Sequence, residues 1–226
     1  MNKFIKIVLL ILLSLFLISC ASGQNNLNVE DTKQKAVLGD KEAQYTLGVL
    51  YESQKNFSEA LTWYIKSAEQ NYALAQNELG NVYLDGRVGV EKDFSQSFAW
   101  YQKAADNGYF DAINNLGYMY DTGKGTEKNQ LKASQLYELA ASKGSIRAMY
   151  NLGLSYKNGD GVEKNMIQAY KWLDLARYYT GTSKDMNLKW TIRKELDKLT
   201  SIMSPSEINE AKELGTQWTK NISSKN

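Results

Sequence analysis

The sequence predicts an all-α protein, an α/α solenoid of four helix pairs with further helices capping both ends. Three observations predict it. Leu-Gly recurs four times, and each time a tyrosine follows three residues after the glycine: Leu47-Gly48 to Tyr51, Leu79-Gly80 to Tyr83, Leu116-Gly117 to Tyr120 and Leu152-Gly153 to Tyr156. An alanine stands four residues before each leucine, at Ala43, Ala75, Ala112 and Ala148. The leucines lie 32, 37 and 36 residues apart, and a fixed period in this range marks a stack of one supersecondary unit rather than a single globular core. Such stacks are held by neighbour contacts and present long binding surfaces, so recognition is expected before chemistry.

The chain begins with a segment outside this repeat. Lys3 and Lys6 precede an apolar run of 12 residues, Ile7 to Ile18, which ends at Leu17-Ile18-Ser19-Cys20. A positive start, a short apolar run and small residues at its end read as a secretory signal over residues 1–19. Twelve helical residues rise about 18 Å, short of the ~30 Å of a bilayer core, so a spanning anchor is the weaker reading. Leu-Ile-Ser-Cys resembles a bacterial lipobox, with Cys20 as the lipid-bearing residue. Cys20 is the only cysteine, and once lipidated it leaves no thiol for a disulfide. Ala21 follows it, which by resemblance to enteric sorting rules favours the outer membrane, facing the periplasm. Residues 20–29, small and polar after the cysteine, are expected to form a flexible tether.

Composition narrows the function classes. The 27 Lys and Arg fall to 25 once Lys3 and Lys6 are removed, against 25 Asp and Glu. This neutral balance provides no basic footprint for nucleic acid. There is no histidine, which removes the commonest general base and the commonest metal ligand. No cofactor and no metal site are expected, and the chain is read as a non-enzyme.

Each element of the repeat has a local reason. In the first helix of a pair, helix A, Ala, Leu and Tyr fall at i, i+4 and i+8 on one face. The glycine after each leucine costs about 1 kcal/mol relative to alanine in a helix interior, so its expected role is steric, admitting a close neighbour. The second helix, helix B, opens at Asn56, Asp93, Asn129 and Asn165, all good N-cap residues. It carries Trp63-Tyr64, Trp100-Tyr101, Leu136-Tyr137 and Trp172-Leu173, then small residues such as Ala68, Ala104, Ala105, Ala140 and Ala141. Asn71, Gly108 and Gly144 stand where a left-handed residue ends a helix. A glycine-bearing loop joins A to B in three units. The Tyr-to-Trp/Leu spacing is 17, 16 and 16 there but 12 in the first, so repeat 1 has a clipped loop. Before the first full repeat, Glu30 to Leu38 is expected to form a lone covering helix. At the other end, Ser204-Pro205-Ser206-Glu207 is a capping box with proline at the first helical position. It leads into the stripe Ile208, Ala211, Leu214 and Trp218.

The pattern A-x-x-x-L-G-x-x-Y-x-x-G-x-G-V-x-K-(D/N), followed by W-Y-x-x-A-A, resembles the Sel-like repeat family, relatives of the tetratricopeptide repeats. The resemblance covers residues 36–180 and implies a right-handed α/α solenoid. Repeats are placed at about 40–71, 72–108, 109–144 and 145–180 within a solenoid of residues 30–180, with C-terminal capping helices in 181–226. Departures are the clipped loop, Leu136 in place of Trp, and Arg177-Thr180 in place of Ala and Gly, which suggests that regular stacking stops there. The resemblance implies a protein-binding adaptor or scaffold of the cell envelope, monomeric, bound to the membrane through its lipid. An alternative within the same build is an immunity protein that neutralises a secreted antibacterial toxin in the periplasm. A cysteine-rich branch linked to β-lactam hydrolysis is a weaker fit, since its paired cysteines are missing here.

Two loop motifs carry no chemistry. Gly123-Lys124-Gly125-Thr126 lacks the upstream glycine and preceding strand of a phosphate loop, and Asn158 to Glu163 lacks the ligand order of a calcium loop. The repeated aromatics, including Tyr51, Tyr83, Tyr120, Tyr156, Trp63 and Trp100, are read as packing residues. What remains is the stripe of helix A two residues from each leucine, turned about 200° from it at ~100° per residue. Tyr45, Asn77, Asn114 and Tyr150 precede the leucines, and Asn81 and Tyr118 follow two of them. In a tetratricopeptide-like array this stripe lines the concave groove. The candidate protein- or peptide-binding residues are therefore Tyr45, Asn77, Asn81, Asn114, Tyr118 and Tyr150, centred on repeats 2 and 3.

Overall fold

The computed structural model describes residues 29–181 and 185–223, which are helical apart from their turns. The predicted signal, Cys20 and nearly all of the predicted tether lie outside the described residues. Helix α1 covers residues 29–37. After it come α2 (Lys41–Ser53), α3 (Phe57–Glu69), α4 (Ala73–Asp85), α5 (Phe94–Asp106), α6 (Phe110–Thr122), α7 (Gln130–Ser142), α8 (Ile146–Asn158), α9 (Met166–Tyr179), α10 (Met186–Thr200) and α11 (Pro205–Ser223). The even-numbered helices from α2 to α8 are helices A, and the odd-numbered ones from α3 to α9 are helices B. No described helix is long and apolar enough to cross a membrane.

The chain divides into two compact units after Ala75. In the N-terminal unit α2 packs on α3, and Ala36 of α1 joins Ala43 and Leu47 in a small core flanked by Leu50, Tyr51 and Trp63. Buried Gln44 fixes this arrangement: its Nε2 donates to the Ala36 carbonyl at 3.0 Å, and its Oε1 accepts from Gln70 Nε2 at 2.7 Å. In the C-terminal unit successive helices pack from α5 to α9, and both α10 and α11 then pack on α9. One continuous core runs through it, from Tyr101 to Ala211.

The repeated glycines do admit a close neighbour, and the neighbour is the helix B ring or leucine. A Cβ added to Gly48, Gly80 or Gly117 would fall 2.6, 2.4 or 2.7 Å from the ring of Tyr64, Tyr101 or Tyr137, and at Gly153 it would fall 2.7 Å from Leu173. The second residue of the Trp-Tyr pair is thus the buried one, with Tyr64, Tyr101 and Tyr137 at 1%, 1% and 2% exposure. The tryptophan before it is only half-buried at Trp63 and Trp100, Trp63 packing on the margin of the small N-terminal core. A lysine three residues on covers each indole, Lys66 at 4.2 Å from the Trp63 ring and Lys103 at 4.0 Å from the Trp100 ring. Trp172 is buried because Trp218 of α11 packs edge-on against it at 5.2 Å.

The N-caps hold in three of four repeats. The side chains of Asp93, Asn129 and Asn165 each accept from the backbone N–H three residues on, at 2.9 Å. Asn56 does not; the clipped loop leaves its backbone at φ −87°, ψ 76° rather than extended. In all four repeats, however, the cap residue's own N–H reaches the repeat tyrosine's carbonyl, from Asn56, Asp93, Asn129 and Asn165 to Tyr51, Tyr83, Tyr120 and Tyr156 at 2.8–2.9 Å. The loop glycines have a further purpose. Gly125 (φ 68°) and Gly161 (φ 71°) run against the opening of the preceding helix B, where an added Cβ would fall 2.1 Å from the Phe94 carbonyl and 2.0 Å from that of Gln130. Only a residue without Cβ meets both the left-handed backbone and this approach.

Candidate functional site

The helix A stripe of the C-terminal unit forms a polar groove of about 510 Å³. Asn114, Asn115 and Tyr118 of α6 form one wall, and Arg147, Tyr150 and Asn151 of α8 form the floor. Asp185, Asn187, Leu188 and Thr191, at the start of α10, close the far side. Three of the residues predicted from the stripe, Asn114, Tyr118 and Tyr150, are therefore brought together.

A ladder of side-chain amides crosses the helices A. Asn115 Nδ2 donates to Asn77 Oδ1 at 3.0 Å, Asn114 Nδ2 to Asn115 Oδ1 at 3.3 Å, and Asn151 Nδ2 to Asn114 Oδ1 at 2.9 Å. The geometry follows from helical pitch. Neighbouring helices A lie side by side, so the residue one before the leucine, about 100° away, meets the residue two before the leucine of the preceding helix. Asn115 meets Asn77 in this way, and Asn151 meets Asn114. The ladder places Asn114 deeper than the stripe implies, at 4% exposure; it is both a wall of the groove and a packing residue.

The other predicted positions differ in character. Asn81 accepts from the buried Tyr101 hydroxyl at 2.7 Å and donates to Glu78 at 3.0 Å, and Glu78 is also paired with Arg87. This makes Asn81 a fastener between α4 and α5 rather than a groove wall. Tyr45 belongs to the N-terminal unit, where its ring packs 5.8 Å from both Tyr64 and Tyr72. Tyr118 accepts from Lys124 Nζ at 2.6 Å. Burial, and then the negative charge of Glu195, raise the Tyr150 hydroxyl above its ordinary pKa, so it remains a neutral donor near neutral pH.

Two ion pairs fasten α10 beside α8. Arg147 meets Asp185, the N-cap of α10, at 2.9 Å, and Lys157 meets Glu195 at 2.5 Å. Glu195 is 8% exposed. Burial alone would raise its pKa, but hydrogen bonds and charge from Lys157 and Lys198 outweigh that and hold it below the usual value. Reading the stripe alone missed Asn115, Asn151 and all of the α10 contribution. A signal for the first two existed, since both are asparagines one residue before the leucine in consecutive repeats. Among the described residues no group of three or more His, Cys, Asp or Glu could hold a metal ion.

The groove and its repeats can be set beside known proteins. No curated protein matches the chain. Among solved structures, a protective antigen displaying an SLR fold from uropathogenic Escherichia coli is 32% identical with a TM-score of 0.73, over 85% of this chain and 40% of its own. The match thus spans less than half the length of that relative. A Sel1 repeat protein from Oxalobacter formigenes is 28% identical with a TM-score of 0.63, over 75% of this chain and 78% of its own. The Sel1 repeat pattern matches residues 41–72, 73–109, 110–145 and 146–185. These four matches cover more than half of the chain, and the protein is a member of the Sel1 repeat family.

Proposed function

We propose that the protein is a lipid-anchored adaptor of the bacterial cell envelope that binds a polypeptide partner in the groove between α6, α8 and α10. The observation that carries this is the amide ladder beside Tyr118 and Tyr150. A side-chain amide has two donors and a carbonyl acceptor, and the ladder leaves the half-buried Asn115 and Asn151, which line the groove, with capacity to bind a peptide backbone. Tyrosines add rigid area of the kind that concentrates binding energy. With Arg147 and Asp185 offsetting one another, the groove does not select by charge. Anchoring through Cys20 and placement at the outer membrane rest on the sequence.

The test is capture of partners from native envelopes with the wild type and with Tyr118→Ala combined with Asn187→Ala. Asn187 is exposed and Tyr118 half-buried, so both changes leave the fold standing. The groove variant is expected to lose about 2 kcal/mol or more of binding, roughly 30-fold. Lys103→Glu with Glu138→Lys, both exposed on helices B, is expected to bind like the wild type. Loss of binding in the helix B variant alone overturns the groove assignment.

A further inference from the structure

The stack of helices A does not end at α8. In α10, Leu188, Ile192 and Leu196 take the places of Ala148, Leu152 and Tyr156, and Asp185 caps α10 as Ser145 caps α8. Ile192 is fully buried at 0% exposure. The contacts between α8 and α10 also repeat those between α6 and α8: Asp111 of α6 accepts from the cap residue Ser145 at 3.1 Å, and Arg147 at the same position of α8 pairs with the cap residue Asp185. By packing and register, α10 is a fifth helix A.

Among the described residues its forward edge is uncovered. The residue two before the leucine on each helix A meets the next helix A: Asn77 meets Asn115, Asn114 meets Asn151, and Tyr150 shares the groove with Thr191. On α10 that position is Trp190, which is 64% exposed. Arg193 replaces the glycine that would admit a helix B, and after Ser204 the chain turns into α11, which packs on α9. Trp190, Arg193, Lys194, Asp197, Lys198 and Ser201 line an open hollow of about 670 Å³, with Lys194 5.0 Å from the indole ring and Lys198 paired with Glu195 at 2.6 Å.

We propose that this edge is a second interaction surface, distinct from the groove, which receives an acidic amphipathic helix of a partner protein docking as the next helix A. Continuity with the α8–α10 arrangement sets the geometry: a side chain of the docked helix faces Trp190, as Thr191 shares the groove with Tyr150. Charge sets the chemistry. With Asp197 set against them and Lys198 already paired with Glu195, Arg193 and Lys194 still leave the hollow net positive and call for carboxylates, as Lys157 calls for Glu195, and a second copy of the same edge would bring like charges together. An exposed tryptophan flanked by arginine is also the composition of binding hot spots.

The test titrates the full mature chain, in detergent, by isothermal calorimetry with a synthetic 20-residue helix of alanine, leucine and glutamate that carries one leucine stripe. A counterpart with lysine for glutamate and vesicles of anionic phospholipid are run beside it. The glutamate helix is expected to bind, the lysine helix not to, and Trp190→Ala to weaken binding about tenfold or more. Lys194→Glu, which keeps the tryptophan, gives a comparable loss, and Asn187→Ala with Tyr118→Ala gives none. Equal binding of both helices, binding unchanged by Trp190→Ala and Lys194→Glu, or no binding of the glutamate helix overturns the proposal. Vesicle binding that is lost in Trp190→Ala while the helix fails to bind reassigns the edge to a lipid surface.

Discussion

Replacing Gly80 with alanine tests whether the repeat glycine is steric. Helix propensity favours the change by about 1 kcal/mol. Against it, the new Cβ would lie 2.4 Å from both Cδ1 and Cε1 of Tyr101. Carbon contacts are optimal at about 3.5–4.0 Å, so the ring must retreat by roughly 1 Å. Tyr101 is 1% exposed, so its ring would have to move against packed neighbours. Its hydroxyl also donates to Asn81 at 2.7 Å, a bond that any retreat stretches. Overpacking costs roughly 1–3 kcal/mol and the strained hydrogen bond about 1 kcal/mol, leaving a net loss of about 1–3 kcal/mol. Gly215 in α11 is the internal control. There an added Cβ would meet Leu175 at 3.7 Å, an ordinary contact, so Gly215→Ala is expected to gain up to about 1 kcal/mol. In urea unfolding, with a slope of about 1–3 kcal/mol per molar, the two variants should move the midpoint in opposite directions. A Gly80→Ala midpoint equal to or above that of the wild type would refute the steric argument.

Further outcomes follow from other parts of the molecule. Because the folded-state pKa of Glu195 is depressed, its contribution is fully present above the ordinary carboxylate value and is lost as pH falls through the lower folded value; thermal melts from pH 7 to pH 3 should show an acid-side loss that Glu195→Gln lacks. The Ser204 capping box is closed in both directions, with Ser204 N–H donating to Glu207 at 2.7 Å and Glu207 N–H donating to Ser204 Oγ at 3.3 Å. Ser204→Ala should therefore cost about 0.5–2 kcal/mol, seen first as faster amide exchange in α11. Cys20→Ser should block both lipid labelling and processing in cells, and a labelled, normally processed variant would refute anchoring through this residue.

The parts of the fold that repeat were legible in the sequence, because four copies in phase average out the accidents of any one. Helix pairs, left-handed ends at Asn71, Gly108 and Gly144, and the steric role of the Leu-Gly glycine could all be read this way. Asn56 shows where that stops, since a good capping residue fails once a shortened loop changes its backbone. Trp63 and Trp100 show a different limit: hydrophobicity alone does not tell which of two adjacent aromatics faces the core. The groove was half legible. The stripe two residues from the leucine led to Asn114, Tyr118 and Tyr150, but the amides that complete the ladder lie on the edge between neighbouring helices. That edge emerges from packing two repeats together, not from the period of one. The contribution of α10 was hidden because Ile192-Arg193 replaces Leu-Gly, which removes the repeat's signature while leaving its place in the stack.

The edge-on contact between Trp172 and Trp218 gives the molecule a built-in optical reporter. The two rings lie 5.2 Å apart on α9 and α11, close enough for their transitions to couple, whereas Trp190 is largely in water. If α11 lifts while the repeats stay folded, the near-ultraviolet dichroism of the pair should vanish and the emission of Trp172 should move to the red. The far-ultraviolet helix signal would hardly change. Stacked repeats held by nearest-neighbour contacts are free to unfold from an end. Comparing these signals along one denaturant series would therefore reveal whether this chain comes apart from its C-terminal end or all at once, with no label introduced.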